Sequence, residues 1–402
     1  MKKNLLILAV AGLALASCSN DEVVQTAATS DANAISFRPF TTGMTRANDT
    51  HFNAANDQFA VTAWATATTS GAVNLYINNA VFSTTDGITF SSASKYYWPS
   101  GYNLDFYAYA PVDDGVADQG VDYVDYNSLK VTPGTTIASQ PDLVYAKTEN
   151  WGKVDPDPNN GTAAANEPHY IDGTPAGVTI NFAHAESKII IKLQNTNPNI
   201  KVTVGDVKIC NLYGAGTYTW SGYKSGGATW QNTDQRGGFY LAGDWAMYGS
   251  ADAVYTIPME TTSSHNIFDG TQSARDLTNT ASTREMILIP QAITYGTQYA
   301  SNANDAVYDK AYISVQLKIQ NQNGAYIIGG DGDNWQEAIW PLTVLKWLPG
   351  HKYTYTVDLA GGGYFPDNVD GTDADLDPIL GGYEIQFATV TVDSWIDGSI
   401  DI

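Results

Sequence analysis

The feature that most constrains the fold of this chain is a strict alternation of apolar and polar residues in several segments. Between residues 311 and 320 every second residue is apolar, namely Ile313, Val315, Leu317 and Ile319. The same period recurs between residues 352 and 359 and between residues 103 and 110. Because alternate side chains of a strand point to opposite faces, these segments predict half-buried strands of antiparallel sheets.

The strand pattern and the chain length together predict an all-β protein built from two β-sandwich domains. The chain has 402 residues, which is enough for two or three domains. Short strands separated by Gly, Asn and Asp turns are typical of sandwiches. A polar insertion at residues 150–168 predicts a loop near the end of the first domain. We therefore predict an N-terminal sandwich at residues 34–177 and a C-terminal sandwich at residues 178–402.

The charge balance excludes one class of partner. The chain has 20 Lys and Arg against 42 Asp and Glu, which gives a formal net charge of −22. A field of this sign repels nucleic acids and anionic lipid headgroups, so we predict no nucleic-acid partner. The low charged fraction, 15%, together with 25 Tyr and 10 Trp, is typical of an extracellular all-β protein.

The first eighteen residues have the features of a lipoprotein signal. Lys2 and Lys3 precede an apolar stretch at residues 5–15, which is too short to span a bilayer, and small residues then lead to Cys18. We predict a signal peptide at residues 1–17, a flexible tether at residues 18–33, and acyl chains on Cys18 that anchor a surface-exposed lipoprotein to the outer membrane. The alternative is an ordinary cleaved signal followed by a chance cysteine.

The second cysteine of the chain, Cys210, then has no partner for a disulfide. It lies in an apolar run that predicts a strand. We interpret Cys210 as a small buried hydrophobic residue rather than a reactive thiol.

A search for catalytic and metal-binding motifs yields no candidate site. HExxH, GxSxG and Walker sequences are missing, and the five histidines are scattered without ligand spacing. We interpret His184 and His351 as structural residues at strand ends. The acidic run at residues 370–377 could supply oxygen ligands to calcium, but it lacks the EF-hand order and is better interpreted as a polar loop. We predict no enzymatic activity, no cofactor and no metal.

The segment between residues 218 and 248 is rich in aromatic residues and glycine. It includes Trp220, Trp230 and Trp245. Exposed aromatic rings can stack on sugars or on partner proteins, so a surface glycan-binding lipoprotein is an alternative function for the chain. We favour the interpretation that these rings pack between sheets.

Several short runs spread over the whole chain carry a family resemblance. In chain order they are Ile35-Ser36-Phe37, Thr45-Arg46-Ala47, Lys95-Tyr96-Tyr97-Trp98-Pro99, residues 104–111, Phe182-Ala183-His184, residues 286–291, residues 350–355 and residues 390–395. In their order and coverage they resemble the fimbrillin family of the Bacteroidetes, the FimA- and Mfa-like proteins of type V pili. The acidic residues after Cys18 are also similar to the surface-export signal of lipoproteins from these bacteria.

The resemblance implies two transthyretin-like sandwich domains and a structural or adhesive role in a cell-surface pilus. It also implies that a trypsin-like protease cuts between Arg46 and Ala47 and thereby removes the first strand, Ile35 to Phe40. Loss of an edge strand leaves unpaired backbone groups and an apolar groove, which is a template for a strand from another chain.

The same resemblance implies which partners would complete the groove. A neighbouring pilin subunit would donate its C-terminal segment, and the candidate donor residues of this chain are Val390, Val392, Ile400 and Ile402. A host protein or glycan receptor is a further implied partner. Only seven residues follow Trp395, so a tip or accessory role stays open beside a role in the shaft.

Overall fold

The computed structural model describes residues 34–41, 52, 56–113, 120–125, 128–135, 137–152, 169–170, 177–220, 243–247, 249–257, 266–277, 286–293, 311–342, 346–366, 378–380 and 389–394. Strands dominate these residues, and the helical elements among them are two short 3-10 helices, Ile137–Ser139 and Leu359–Gly361. The prediction of an all-β fold with sandwich-like sheets is confirmed. Within the described ranges, no helix has the length and apolarity needed to cross a membrane.

The strands of the first half are β1 (Phe37–Thr41), β2 (Gln58–Ala67), β3 (Val73–Ser83), β4 (Ser91–Ser92), β5 (Tyr102–Ala110), β6 (Val121–Asp125), β7 (Ser128–Val131), β8 (Val144–Gly152), β9 (His169–Tyr170) and β10 (Val178–His184). Those of the second half are β11 (Ser187–Gln194), β12 (Ile200–Leu212), β13 (Gly216–Trp220), β14 (Gly243–Met247), β15 (Ala253–Ile257), β16 (Ile267–Phe268), β17 (Arg275–Asp276), β18 (Met286–Leu288), β19 (Tyr312–Asn321), β20 (Tyr326–Ile328), β21 (Gln336–Pro341), β22 (His351–Asp358) and β23 (Thr389–Ser394).

These strands form four sheets. An eight-stranded sheet has the order β1-β10-β8-β5-β2-β3-β4, with β9 paired to β8. A five-stranded sheet has the order β17-β11-β22-β23, with β18 on β11, and a six-stranded sheet has the order β15-β12-β19-β20, with β16 on β12 and β21 on β19. The fourth sheet has the order β14-β13-β7-β6.

The largest apolar core lies between the five-stranded and six-stranded sheets. The core-facing residues predicted for β19 are confirmed, because Ile313, Val315, Leu317 and Ile319 are all buried in this core. The prediction of a half-buried strand is wrong there, because Ser314 and Lys318 on the opposite face are buried as well. In β22, Tyr353, Tyr355 and Val357 point into the same core, and Leu359 in the 3-10 helix that follows continues the pattern. Period-two patterning therefore identified the core-facing side of both strands correctly.

The eight-stranded sheet is covered on both faces. In β5, Leu104 and Phe106 face one core, whereas Tyr107 and Tyr109 face a second core beneath the four-stranded sheet. The prediction of a half-buried strand is wrong for the end of β5 that carries the tyrosines. The reason is tertiary: the four-stranded sheet packs over that end of the strand and buries both tyrosine rings.

Strand β10 lies where the sequence placed a domain boundary. It follows Gly177 and pairs with β1 on one side and β8 on the other, so it belongs to the sheet of the N-terminal strands. The predicted boundary would assign it to the C-terminal sandwich. The division into two transthyretin-like domains itself stays a prediction.

The cysteine in β12 is buried as expected. Cys210 is 5% exposed and contacts Tyr312 and Ile339 on the outer side of the six-stranded sheet. Burial raises the pKa of its thiol to about 11, so the thiolate that reacts with electrophiles is scarce at neutral pH. The interpretation of Cys210 as a small buried hydrophobic residue is confirmed.

Candidate functional site

The first described segment joins the two ends of the eight-stranded sheet. On one side, β1 pairs in parallel with β10, from Phe37 opposite Val178 to Thr41 opposite Phe182. On the other side, the N–H of Phe37 donates to the carbonyl of Phe90 at 2.9 Å, and the N–H of Phe90 donates back at 2.9 Å. Phe90 directly precedes β4, so the segment connects β10 to the opposite end of the sheet.

Side chains of this segment alternate between the core and the solvent. Ile35 and Phe37 are buried, at 1% and 0% exposure, while Arg38 is exposed and Pro39 is buried again. Backbone bonds continue towards the N-terminus, where the N–H of Ile35 donates to the carbonyl of Tyr96 at 2.8 Å. The segment is therefore a structural part of the sheet, held by backbone bonds on both sides and by apolar side chains beneath.

The core under this segment consists largely of aromatic rings. Seven phenylalanines of the described residues line it, namely Phe37, Phe52, Phe59, Phe82, Phe90, Phe106 and Phe182. Phe37 lies among them, and its ring stands edge-on to three others. Aromatic pairs in this arrangement stabilise a core by about 0.5–1.5 kcal/mol each beyond their buried area.

Phe52 adds to this core from the chain that follows the predicted cleavage site. Its ring lies 4.4 Å from that of Phe182 and 5.4 Å from that of Phe59, centroid to centroid. It comes six positions after Arg46, so it would remain with the mature chain if the chain were cut there. Arg46, Ala47 and Cys18 themselves lie outside the described residues.

The candidate donor residues are divided between described and undescribed parts of the chain. Val390 and Val392 lie in β23, an edge strand that pairs antiparallel with β22 of the same chain. Val390 packs against the large core, whereas Val392 is 50% exposed. Ile400 and Ile402 lie outside the described residues, as does the acidic run at residues 370–377.

Of the three candidate ligand-binding tryptophans, Trp245 has a described side chain. It is partly buried against Tyr218, at a ring distance of 5.4 Å, and its indole N–H donates to the carbonyl of Ala185 at 2.8 Å. Trp220 is the last residue of β13, and Trp230 lies outside the described residues. The packing of Trp245 favours a structural role and gives no support to a sugar-binding platform.

A comparison with models of protein families identifies the family of this chain. The sequence model of a family described as fimbrillin-like matches residues 45–373. The chain belongs to the fimbrillin-like family. No curated protein matches it.

Several solved structures resemble this fimbrillin-like chain over most of its length. A candidate cell adhesion protein from Bacteroides uniformis is 15% identical, with 91% of this chain and 99% of that one covered and a TM-score of 0.41. A fimbrial protein from Bacteroides vulgatus is 14% identical, with 90% and 99% covered and a TM-score of 0.46. The tip fimbrial protein Mfa3 from Porphyromonas gingivalis is 10% identical, with 90% and 99% covered and a TM-score of 0.32.

The fimbrillin-like chain buries a polar cluster where β10 leads into β11. His184 Nδ1 lies 2.7 Å from Asp142 Oδ1, and both side chains are almost completely buried. The neighbouring Glu186 accepts a hydrogen bond from the N–H of Leu143 at 2.7 Å through Oε2. Burial, with a smaller contribution from Asp142, raises the pKa of the Glu186 carboxyl well above its ordinary value. His351, at the start of β22, bonds the carbonyl of Pro349 through Nδ1. The structural roles predicted for His184 and His351 stay predictions.

Sequence analysis missed most of the residues that form the core under β1. It named Ile35 to Phe40 as a removable strand, but it did not identify Phe59, Phe82 and Phe90 as the floor beneath that strand. These residues lie on β2, β3 and directly before β4, far from β1 along the chain. A recurrence of phenylalanine at inward positions of successive strands was the available signal.

Within the described ranges, no group of three or more His, Cys, Asp and Glu is arranged to hold a metal.

Proposed function

We propose that this fimbrillin-like protein is a structural or adhesive subunit of a cell-surface pilus, and that it assembles by exchange of its first strand. The observation that carries the proposal is the position of residues 34–41, which close the eight-stranded sheet over a phenylalanine core. Export as a lipoprotein through Cys18 would place the subunit at the outer membrane before processing.

The physical consequence of losing the segment supports exchange. Without it, the backbone groups of β10 and those of Phe90 and Tyr96 would face solvent, and an unpaired strand edge is a template for another strand. The burial of Ile35 and of Phe37 is worth about 1.5–3 kcal/mol each. A donor strand that restores both the backbone bonds and the apolar contacts would therefore be strongly favoured over an open groove.

The structure around the segment argues against Arg38 as the processing site. Arg38 lies within β1 and is followed by Pro39, and its backbone is paired with Thr179 of β10. Proteases of the trypsin type need an extended, unpaired substrate and cut poorly before proline, so Arg38 is protected. Exposed connecting segments are where nicking concentrates.

The donor strand would come from the C-terminal segment of a neighbouring pilin subunit. Among the described strands, β23 pairs with β22 and lies at the end of its sheet. Head-to-tail donation of this kind does not close on itself, and a filament would result. The subunit would then act through assembly and adhesion rather than through catalysis.

Proteolysis of the ectodomain tests the proposal. We expect an Arg-specific protease to cut between Arg46 and Ala47, and the cut protein to bind a peptide of residues 34–41 in a titration once its own N-terminal fragment has left. Arg46→Ala should abolish both the cut and the peptide binding, whereas the matched control Arg38→Ala should leave both unchanged. A clean cut at Arg46 after which the protein never binds the peptide would refute strand exchange.

A further inference from the structure

The core beneath β1 has one position with an unusually specific shape. The ring of Phe37 stands edge-to-face to those of Phe59, Phe82 and Phe106, at centroid distances of 5.8, 4.8 and 5.0 Å. The interplanar angles lie between 78° and 89°. Edge-to-face packing uses the electrostatic complementarity of ring faces and edges, which a branched aliphatic side chain cannot reproduce.

The three partner rings lie on strands that would stay in the protein after β1 is removed. They lie on β2, β3 and β5, and each is fully buried. They would keep their places if β1 left, because their strands pair with one another and not with β1. The site of Phe37 would then be an aromatic subsite in the floor of the groove, flanked by the sites of Ile35 and Pro39 two positions away on either side.

We propose that this subsite determines which strand the groove accepts. The accepted strand carries an aromatic residue at the Phe37 position and belongs to a partner subunit of different sequence, not to a second copy of this chain. The inference rests on the proposed strand exchange and adds to it the chemistry of the strand that enters the groove. β1 itself provides the template for that strand, with an aliphatic residue, an aromatic residue and a further apolar residue at alternate positions.

The C-terminal segment of this chain does not meet that requirement. Its candidate donor residues are all aliphatic, namely Val390, Val392, Ile400 and Ile402. Its aromatic residue, Trp395, has Asp393 and Asp397 two positions away on either side. Placing Trp395 in the subsite would bury both carboxylates where β1 buries apolar side chains, and burial of unpaired charges is strongly unfavourable.

The first experiment tests the subsite within one chain. A cleavage site for an unrelated protease replaces residues 43–46 of the ectodomain, so that the cut does not depend on processing at Arg46. Native mass spectrometry then measures how fast the cut N-terminal fragment leaves. The double variant Ile35→Phe with Phe37→Ile keeps the composition of the strand and moves the aromatic ring by two residues. We expect its fragment to leave at least about tenfold faster than the wild-type fragment, whereas Arg38→Gln should have no effect.

The second experiment measures selection between strands. Amidated peptides are titrated against the cut protein after its own fragment has left: residues 34–41, residues 390–402, and residues 390–402 carrying Ile402→Phe. In the last peptide, Ile400 and the new ring have the spacing of Ile35 and Phe37. We expect it to bind at least about tenfold tighter than the native tail. A tail peptide with Asp401→Phe places the same ring on the polar face and should show no gain.

The outcomes separate the inference from the proposed function. Equal affinity of the native tail and its Ile402→Phe form, or equal release of the wild-type and exchanged fragments, would overturn the selectivity while leaving strand exchange intact. Failure of every peptide to bind, the peptide of residues 34–41 included, would count against strand exchange. The release rates of the first experiment would then decide the selectivity of the subsite alone.

Discussion

At the scale of single residues, Glu186 has a carboxyl group whose surroundings disfavour its charged form. It is fully buried between the eight-stranded sheet and the β11 strand, and Oε1 has no hydrogen-bond partner among the described residues. Burial disfavours the charged form, and the nearby Asp142 adds to this, while the N–H of Leu143 acts in the opposite direction. The pKa of Glu186 in the folded state therefore lies well above the ordinary value of 4.5.

This raised pKa predicts a pH dependence of stability. Because the folded state holds the proton more tightly than the unfolded state, the contribution of Glu186 is fully present below about pH 4.5 and is lost as the pH rises towards the folded-state pKa. Glu186→Gln keeps an oxygen that can accept from Leu143 but cannot ionise. Urea unfolding between pH 5 and 8 should show the variant gaining stability relative to the wild type as the pH increases.

Asn74→Gln, a neutral substitution at an exposed position, serves as the control, and its stability difference from the wild type should change little with pH. Parallel curves for Glu186→Gln and the wild type would show that Glu186 does not ionise over this range or that its charge is compensated in the folded protein.

At the scale of elements, Gly177 allows β1 to approach β10. It has a φ of +81°, and a Cβ atom at this position would lie 2.4 Å from the carbonyl oxygen of Ser36. That oxygen accepts the N–H of Val178 at 2.9 Å, so the first contact between the two strands needs both the left-handed backbone and the missing side chain.

Gly177→Ala should therefore loosen the closing segment without removing any side chain from the core. We expect amide hydrogen exchange in residues 35–41 to accelerate by about tenfold, measured by mass spectrometry. Gly71→Ala is the matched control, since Gly71 has a φ of +69° with open space around the position of its Cβ. It should strain the turn between β2 and β3 and leave exchange in residues 35–41 unchanged, and equal acceleration by both variants would contradict the assignment.

At the scale of the whole molecule, strands from both halves of the chain build the four-stranded sheet. β7 pairs with β13, from Val131 opposite Gly216 to Ser128 opposite Thr219. A further link is Gln140, which precedes β8 and whose side-chain oxygen accepts from Ile287 of β18 at 2.7 Å. Connections of this kind couple the unfolding of the sheets they join.

Disruption of β13 should uncouple the two halves. Thr217 lies in a central strand between β7 and β14, where proline removes a ladder hydrogen bond. We expect the wild type to unfold in one calorimetric transition and Thr217→Pro to unfold in two, with the less stable part lowered by about 1–3 kcal/mol. Val124→Pro changes an exposed position of the edge strand β6 and should retain a single transition. A single transition for Thr217→Pro would mean that the coupling lies elsewhere.

Much of the element-level structure of this molecule could be predicted from local pattern. The inward faces of β19 and β22 follow from residues that alternate along one strand, because the period of a strand is a local geometric property. The family could also be recognised from short runs along the chain, and the match to residues 45–373 confirms it. These inferences need no knowledge of which strand lies beside which.

The tertiary structure alone decided how the strands meet. The pairing of Phe37 with Phe90, the assignment of β10 to the first sheet and the mixed sheet of β7 and β13 all join residues far apart in sequence. Alternation tells which side chains share a face but carries no information about the neighbouring strand, since any apolar face satisfies the same pattern. The apolar content of the first strand is therefore readable from Ile35 and Phe37 themselves, whereas the ring-lined site that receives Phe37 exists only once β2, β3 and β5 have come together.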